Sequence, residues 1–210
     1  MSQFFSVHPT HPQARLLARA AEIAKGGGVI VYPTDSTYAL GCHIGDKAAL
    51  DRIRDIRGLH PRHHFTLMCR DLSELAAYAM VDNTSYRILK HYTPGPITFI
   101  LKATREVPRR LMSRRRTIGL RVPDSPVSLG LLAQLQEPLM STTLLLPGDE
   151  YAMTEAQDIR DRLEGVVDLI IDGGPCLREL TTVVDLTDSL PQVTRAGLGD
   201  FELSPPKPSL

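Results

Sequence analysis

The 210-residue chain carries 24 Lys and Arg against 24 Asp and Glu, so its formal net charge is zero and the molecule as a whole is no electrostatic nucleic-acid binder. Hydrophobic residues make up 42% and charged residues 23%. That is an ordinary soluble, globular composition, and no apolar run approaches the roughly 20 residues of a membrane span. Cys42, Cys69 and Cys176 are odd in number and widely spaced, which gives neither a disulfide framework nor a zinc pattern. The start, Met1 to Phe5, lacks a basic segment followed by an apolar one, so a reducing cytoplasm is the expected location.

Leu16, Leu17, Ala20, Ala21, Ile23 and Ala24 recur at helical spacing and predict an amphipathic helix over 12–25. Gly26 to Gly28 end it, and β-branched Val29, Ile30 and Val31 predict a strand over 28–32. Pro33 then opens a turn holding Thr34, Asp35, Ser36 and Thr37. Such residues favour turns for local reasons, yet strand carboxyl ends are also where open α/β sheets bind ligands. A capped loop and a pocket wall both fit this turn.

Asp46 is placed to cap a helix carrying Ala49, Leu50, Ile53 and Ile56. A cationic loop from Gly58 to His64 follows, then a short strand over 65–69, a helix over 71–79, and a helix capped by Asn83 through His91. Thr93 to Pro96 reads as a turn. Strands are expected over 97–102 and 117–122, with a turn at Asp124-Ser125-Pro126 and a helix over 129–135. The apolar stretch 139–146 carries Ser141, Thr142 and Thr143. A helix over 154–163 and strands over 166–171, 182–186 and 193–195 complete the pattern, with a loose tail from Ser204. Mixed helices and strands without repeats predict one α/β (α+β) domain with its core at about 10–198.

No nucleophile elbow, metalloprotease helix motif or Walker loop is present, and no residue is assigned a catalytic role or a metal. His63 and His64 read as a solvated loop. The basic residues are unevenly placed and mostly arginine, in one group at Arg52, Arg54, Arg57 and Arg62 and another at Arg105, Arg109, Arg110, Arg114, Arg115 and Arg116. Arg121 lies at a strand end, within reach of Asp124 in sequence, and Arg195 closes another strand. Together with hydroxyls at Thr34, Thr142, Thr143 and Thr182, these forked cations match what phosphate and carboxylate oxygens require.

The phrase from Gly27 to Gly41, GGVIVYPTDSTYALG, resembles the signature of the YrdC-like family, the L-threonylcarbamoyl-AMP synthases. Pro94-Gly95-Pro96-Ile97-Thr98, Arg121-Val122-Pro123, Thr182 to Leu186 and Arg195-Ala196-Gly197 follow in the family's order, and Phe65 to Leu75 is similar to the YciO branch. The resemblance implies a twisted open mixed sheet with flanking helices and a large, concave, positively charged cleft. It also implies a reaction: threonine and bicarbonate form a carbamate that attacks the α-phosphate of ATP, with Mg2+ accompanying the nucleotide. The products are pyrophosphate and an adenylate used in tRNA modification.

By the same resemblance Thr34, Tyr38, Arg121 and Thr182 would hold threonine, and Arg57, Thr143 and Arg195 the nucleotide. Binding of double-stranded RNA or tRNA is also implied, for which Arg109, Arg110, Arg114, Arg115 and Arg116 are the candidates. Two motifs depart. The family's Lys-x-Arg is Arg57-Gly58-Leu59 here, and its Ser-x-Asn is Thr143-Leu144-Leu145. A cation and an amide are thereby lost, and each charged hydrogen bond missing from a desolvated phosphate forfeits about 1.5–3 kcal/mol. Weakened or altered synthase activity is expected, with RNA binding without synthesis as the alternative.

Overall fold

A computed structural model describes residues 1–60 and 63–202. Arg62 and the tail from Ser204 lie outside the described residues. In chain order the elements are β1 (Gln3–Ser6), α1 (Ala14–Lys25), β2 (Ile30–Pro33), β3 (Tyr38–His43), α2 (Lys47–Arg57), β4 (Thr66–Met68), α3 (Leu72–Tyr78), α4 (Asn83–Tyr92) and β5 (Ile97–Lys102). After one 3-10 turn at Arg109–Leu111 come β6 (Thr117–Arg121), α5 (Pro126–Leu135), β7 (Leu139–Thr143), α6 (Ala156–Leu163), β8 (Leu169–Asp172), β9 (Thr182–Asp185) and β10 (Gln192–Arg195).

Among the described residues ten strands form one open, mixed sheet in the order β1-β8-β2-β3-β7-β4-β6-β5-β9-β10. Pairing is parallel at β1/β8, β8/β2, β4/β6 and β5/β9 and antiparallel at the other joins. The open mixed sheet with flanking helices is the expected class.

Side-chain alternation along the strands divides the interior into two cores. Val29, Val31, Tyr38, Leu40, Leu67, Phe99, Leu101 and Leu120 face one side, where they pack with Leu50 and Ile53 of α2, Leu75 of α3, Leu89 of α4 and Ile159 of α6. Ile30, Tyr32, Ala39, Leu139, Leu169 and Ile171 face the other side, where they pack with α1 and α5. The second core ends near β7 and β4. Beyond it the same face carries Ser141, Thr143, Thr66, Gly119, Thr117 and Thr98 in place of large apolar residues, and no helix among the described residues covers it. The site is therefore a topological consequence: two helices shield half of a ten-stranded face.

Several boundaries differ from expectation. β1 lies outside the predicted elements; it pairs with β8 at the sheet edge through only four residues. β3 also lies outside the predicted elements, because Gly41 and small Ala39 interrupt its β pattern; tertiary pairing with β2 and β7 makes it a strand. Asp82, not Asn83, caps α4, since its carboxylate accepts from the Ser85 amide at 2.7 Å. The expected turn at 124–126 opens α5, with Ser125 as cap and Pro126 in the first turn, where its missing N–H costs nothing. Asp46 caps α2 as predicted, and Gly58 ends it in the left-handed conformation at φ 60°.

Candidate functional site

The uncovered half-face is the floor of a cavity of about 680 Å³. Its floor residues are cross-strand partners. Thr66 pairs with Ser141 on one side and Gly119 on the other, Met68 with Arg121, and Ile100 with Gly119 and Asp185. Walls come from the turn after β2, from the end of α2 with His63 and His64, from the segment between β5 and β6, and from Leu180, Thr181 and Arg195.

The lining is strongly cationic for a chain of zero net charge. Arg54, Arg57, Arg110, Arg114, Arg115, Arg121 and Arg195 line it, against one carboxylate among the described residues, Asp185. Asp185 is itself engaged, accepting from the amide and hydroxyl of Thr187 at 2.8 and 2.6 Å.

Arg121 is the deepest cation. Its Nη2 meets Asp35 Oδ1 at 2.5 Å, Nη1 donates to Ser36 Oγ at 3.1 Å, and Nε donates to the Gly95 carbonyl at 3.2 Å. Asp35 is therefore its partner, rather than the nearby Asp124, because the sheet brings the turn after β2 against the end of β6. The Pro-Gly-Pro turn thus also supports this guanidinium. Asp35 Oδ2 is buried with no hydrogen-bond partner among the described residues.

Arg195 donates from Nε and Nη2 to the Thr181 carbonyl at 3.0 and 2.8 Å, and from Nη2 to Thr181 Oγ1 at 2.9 Å. It has no acidic partner among the described residues. Burial first, and then the charge of Arg121, push its pKa down. Of these two guanidiniums only Arg121 has a carboxylate partner among the described residues, which leaves Arg195 suited to an anion.

Arg57 joins the two departed motifs directly: its Nη1 donates to the Leu145 carbonyl, and its Nε is buried without a partner among the described residues. Burial lowers its pKa. Leu59 turns away and packs on the apolar core. His63 is not a purely solvated loop residue. It lines the cavity with its ring edge-on to Phe65 and its Nε2 3.4 Å from Thr142 Oγ1. Burial, then Arg57, His64 and Arg54, depress its pKa.

The structure brings Thr34, Arg57, Arg121, Thr143 and Arg195 together around the cavity. Both readings of the turn after β2 hold at Thr34. Its hydroxyl donates to the Thr37 carbonyl at 2.7 Å and accepts from the Ser36 amide at 3.1 Å, while the residue still lines the wall.

Tyr38 and Thr182 do not line the cavity. Strand alternation turns each away from the cavity. Tyr38 is fully buried on the opposite face, and its hydroxyl donates to Gly174 O at 2.7 Å. Thr182 follows Thr181 into β9 on the side opposite Val183 and Asp185; its hydroxyl donates to Gly199 O at 2.5 Å and accepts from the Gly197 amide at 3.0 Å. Of the arginines assigned to RNA, Arg110, Arg114 and Arg115 line the cavity, whereas Arg109 and Arg116 do not. Asp35, Thr98, Thr66, Thr181 and His63 were missed as site residues. Period-two alternation within 97–102 and 117–121 was the available signal for the floor residues.

Among the described residues no helix is long and apolar enough to cross a membrane, and no group of three or more His, Cys, Asp or Glu is placed to hold a metal ion.

Comparison with known proteins places this geometry in a family. The family model Sua5_yciO_yrdC, described as telomere recombination, matches residues 22–197. The protein YciO of Escherichia coli (strain K12) is 58% identical over 203 residues, covering 96% of this chain and 98% of its own. The crystal structure of E. coli YciO matches with a TM-score of 0.93 over 97% of this chain and 99% of that one. A threonylcarbamoyl-AMP synthase of Nitrosococcus oceani is 36% identical over 155 residues, 73% of this chain and 83% of the relative. P. abyssi Sua5 complexed with L-threonine shares the fold, with a TM-score of 0.86 at 24% identity over 93% of this chain and 58% of that one. A family match across most of the chain, with a YciO relative alike from end to end, shows that the chain belongs to the Sua5/YciO/YrdC family.

Proposed function

We propose that the cavity binds threonine and ATP and that the chain forms or handles threonylcarbamoyl-adenylate, made from threonine, bicarbonate and ATP. The observation that carries this reading is the lining: seven arginines and a hydroxyl-rich floor against one carboxylate. Such a reaction asks little covalent chemistry of side chains. It needs a carboxylate, a carbamate and a triphosphate held in line, and growing charge at phosphorus neutralised.

The inner cations, Arg121 and Arg195, suit the amino-acid carboxylate or the carbamate. Arg57, whose buried Nε has no partner among the described residues, and Thr143 suit the nucleotide phosphates. The related Sua5 structure with L-threonine supports threonine as the amino acid. Turnover is expected to be slow, because Arg57 already spends one N–H on Leu145 O and Leu145 offers no side-chain amide.

The test is to incubate pure protein with ATP, threonine, bicarbonate and Mg2+ and to follow pyrophosphate and the adenylate by mass spectrometry. Calorimetric titration with ATP runs alongside. Product, or ATP and threonine binding without product, separates a synthase from a protein that handles a preformed adenylate. Neither product nor binding overturns the proposal. A second reading, binding of double-stranded RNA or tRNA, is favoured by the exposed Arg109 and Arg116 outside the cavity. Filter binding over a salt series tests it.

A further inference from the structure

The segment between β5 and β6 carries Arg105, Arg109, Arg110, Arg114, Arg115 and Arg116. It is braced at many points. Val107 and Leu111 are buried in the core beneath it, and Arg110 Nη2 donates to the Gly45 carbonyl across the cavity rim. Its far end is a tight turn. The Ser113 amide donates to Thr117 O at 2.9 Å, Ser113 Oγ meets Thr117 Oγ1 at 2.6 Å, and the Arg116 amide donates to Ser113 O at 2.9 Å. Arg116 holds the turn at φ 57°, a left-handed conformation rare for an arginine, and its carbonyl accepts from the Ala103 amide at 2.8 Å.

At the tip of this turn stand Arg114 and Arg115. Both are exposed, both line the cavity mouth, and neither side chain makes an ion pair or hydrogen bond among the described residues. A hydrogen-bonded turn therefore carries two guanidiniums that, among the described residues, are left free to meet an anion. Arg54 and Arg57 at the end of α2 line the same cavity.

We infer that Arg114 and Arg115 hold the terminal phosphates of the nucleotide, supplying the positive charge that Leu59 no longer supplies. Arg110 fixes the strap that carries them. The inference rests on the nucleotide reading above, and it moves these arginines from an external nucleic-acid surface to the inner ligand. Phosphates are favoured over a second carboxylate because a di- or triphosphate brings several negative charges. The inner arginines are already partly committed to protein acceptors, so further cations must come from the mouth.

The probes are inorganic pyrophosphate, ATP, AMP and L-threonine, each titrated calorimetrically into the wild type and into Arg114→Ala/Arg115→Ala. Loss of two charged hydrogen-bonding groups is expected to weaken pyrophosphate and ATP by about tenfold or more, with AMP and threonine within about twofold. Arg109→Ala/Arg116→Ala should leave pyrophosphate within the same margin. Circular dichroism checks that each variant is folded. Unchanged pyrophosphate binding in Arg114→Ala/Arg115→Ala overturns the inference. So does an equal loss for all four probes, which would mark a structural role. A variant that keeps pyrophosphate but loses double-stranded RNA also overturns it and returns these residues to a nucleic-acid surface. Wild-type protein that binds threonine and ATP but not pyrophosphate, with ATP affinity unaltered in the variant, removes the strap's role and leaves the nucleotide reading standing. Wild-type protein that binds none of the four overturns both.

Discussion

Arg121 and Asp35 form an ion pair beside the cavity floor in which the two side chains keep only 6% and 11% of their surface. Residues 86 positions apart are joined there at 2.5 Å. Removing one member of a buried pair leaves the other charge uncompensated, at a cost of about 3–5 kcal/mol. Asp35→Ala is therefore expected to lower unfolding stability by that amount, and Asp35→Asn by less, since an amide oxygen still accepts from Nη2. Urea unfolding measures both. A loss under about 1 kcal/mol for Asp35→Ala would mean that Ser36, Gly95 and water satisfy Arg121 without it.

Leu59 stands where the family carries its second motif cation, yet its side chain packs on the apolar core. Leu59→Arg is expected to cost on the order of 1 kcal/mol in lost burial. It should not raise ATP affinity, because the backbone after Gly58 aims this side chain away from the cavity. Thermal melting and calorimetry check the two halves. Tighter ATP binding in the variant would show that the position still addresses the phosphates.

His63 has a pKa below the ordinary 6.5, through burial first and then Arg57, His64 and Arg54. For a base whose folded pKa is depressed, the unfolded chain binds the extra proton first. Stability is therefore full above 6.5 and falls as pH drops from 6.5 toward the folded pKa. The melting temperature of the wild type should decline over that window, and His63→Gln should flatten the decline. A bound anion opposes the repulsion from the arginines, so ligand binding near pH 6 should take up protons. Calorimetry in buffers of different ionisation enthalpy reads that uptake. Buffer-independent heats at that pH would contradict it.

Gly197 lies where a Cβ would sit 2.3 Å from Leu180 O and 2.6 Å from the Thr181 carbonyl carbon. Both obstacles are backbone, so Gly197→Ala must displace the 180–181 segment that anchors Arg195. Overpacking of this kind typically costs about 1–3 kcal/mol. A lowered melting temperature is expected, together with a smaller shift on adding ATP and threonine. Normal ligand shifts in a destabilised variant would show that Arg195 does not need its Thr181 contacts for binding.

Most helices were legible because apolar spacing and short polar caps mark them locally, as Asp46 and Asp71 do for α2 and α3. Strands at the margins were not. β1 has four residues, and β3 contains glycine, so both exist only through their neighbours. Within the site, residue type pointed to Arg121, Arg195, Arg57 and Thr34. Residue type alone could not tell the two faces of a strand apart, which is why Thr182 was preferred to its neighbour Thr181. Asp35 was hidden for another reason: its partner lies in β6, and no local pattern announces a contact so distant in sequence. His63 looked like a solvated loop because nothing near it in sequence shows that Phe65 and Thr142 close around its ring.

The cavity's walls are drawn from the chain between Thr34 and Arg195. During synthesis the first helices and the β2–β3 hairpin leave the ribosome long before β9 and β10 exist to complete the site. Ligand therefore cannot stabilise early folding intermediates through the whole site; it acts by mass action only once β9 and β10 have been made. Substitutions in the N-terminal core should thus be poorly rescued by supplying ligand in cells, whereas those near Thr181 and Arg195, the last pieces to arrive, should respond to it.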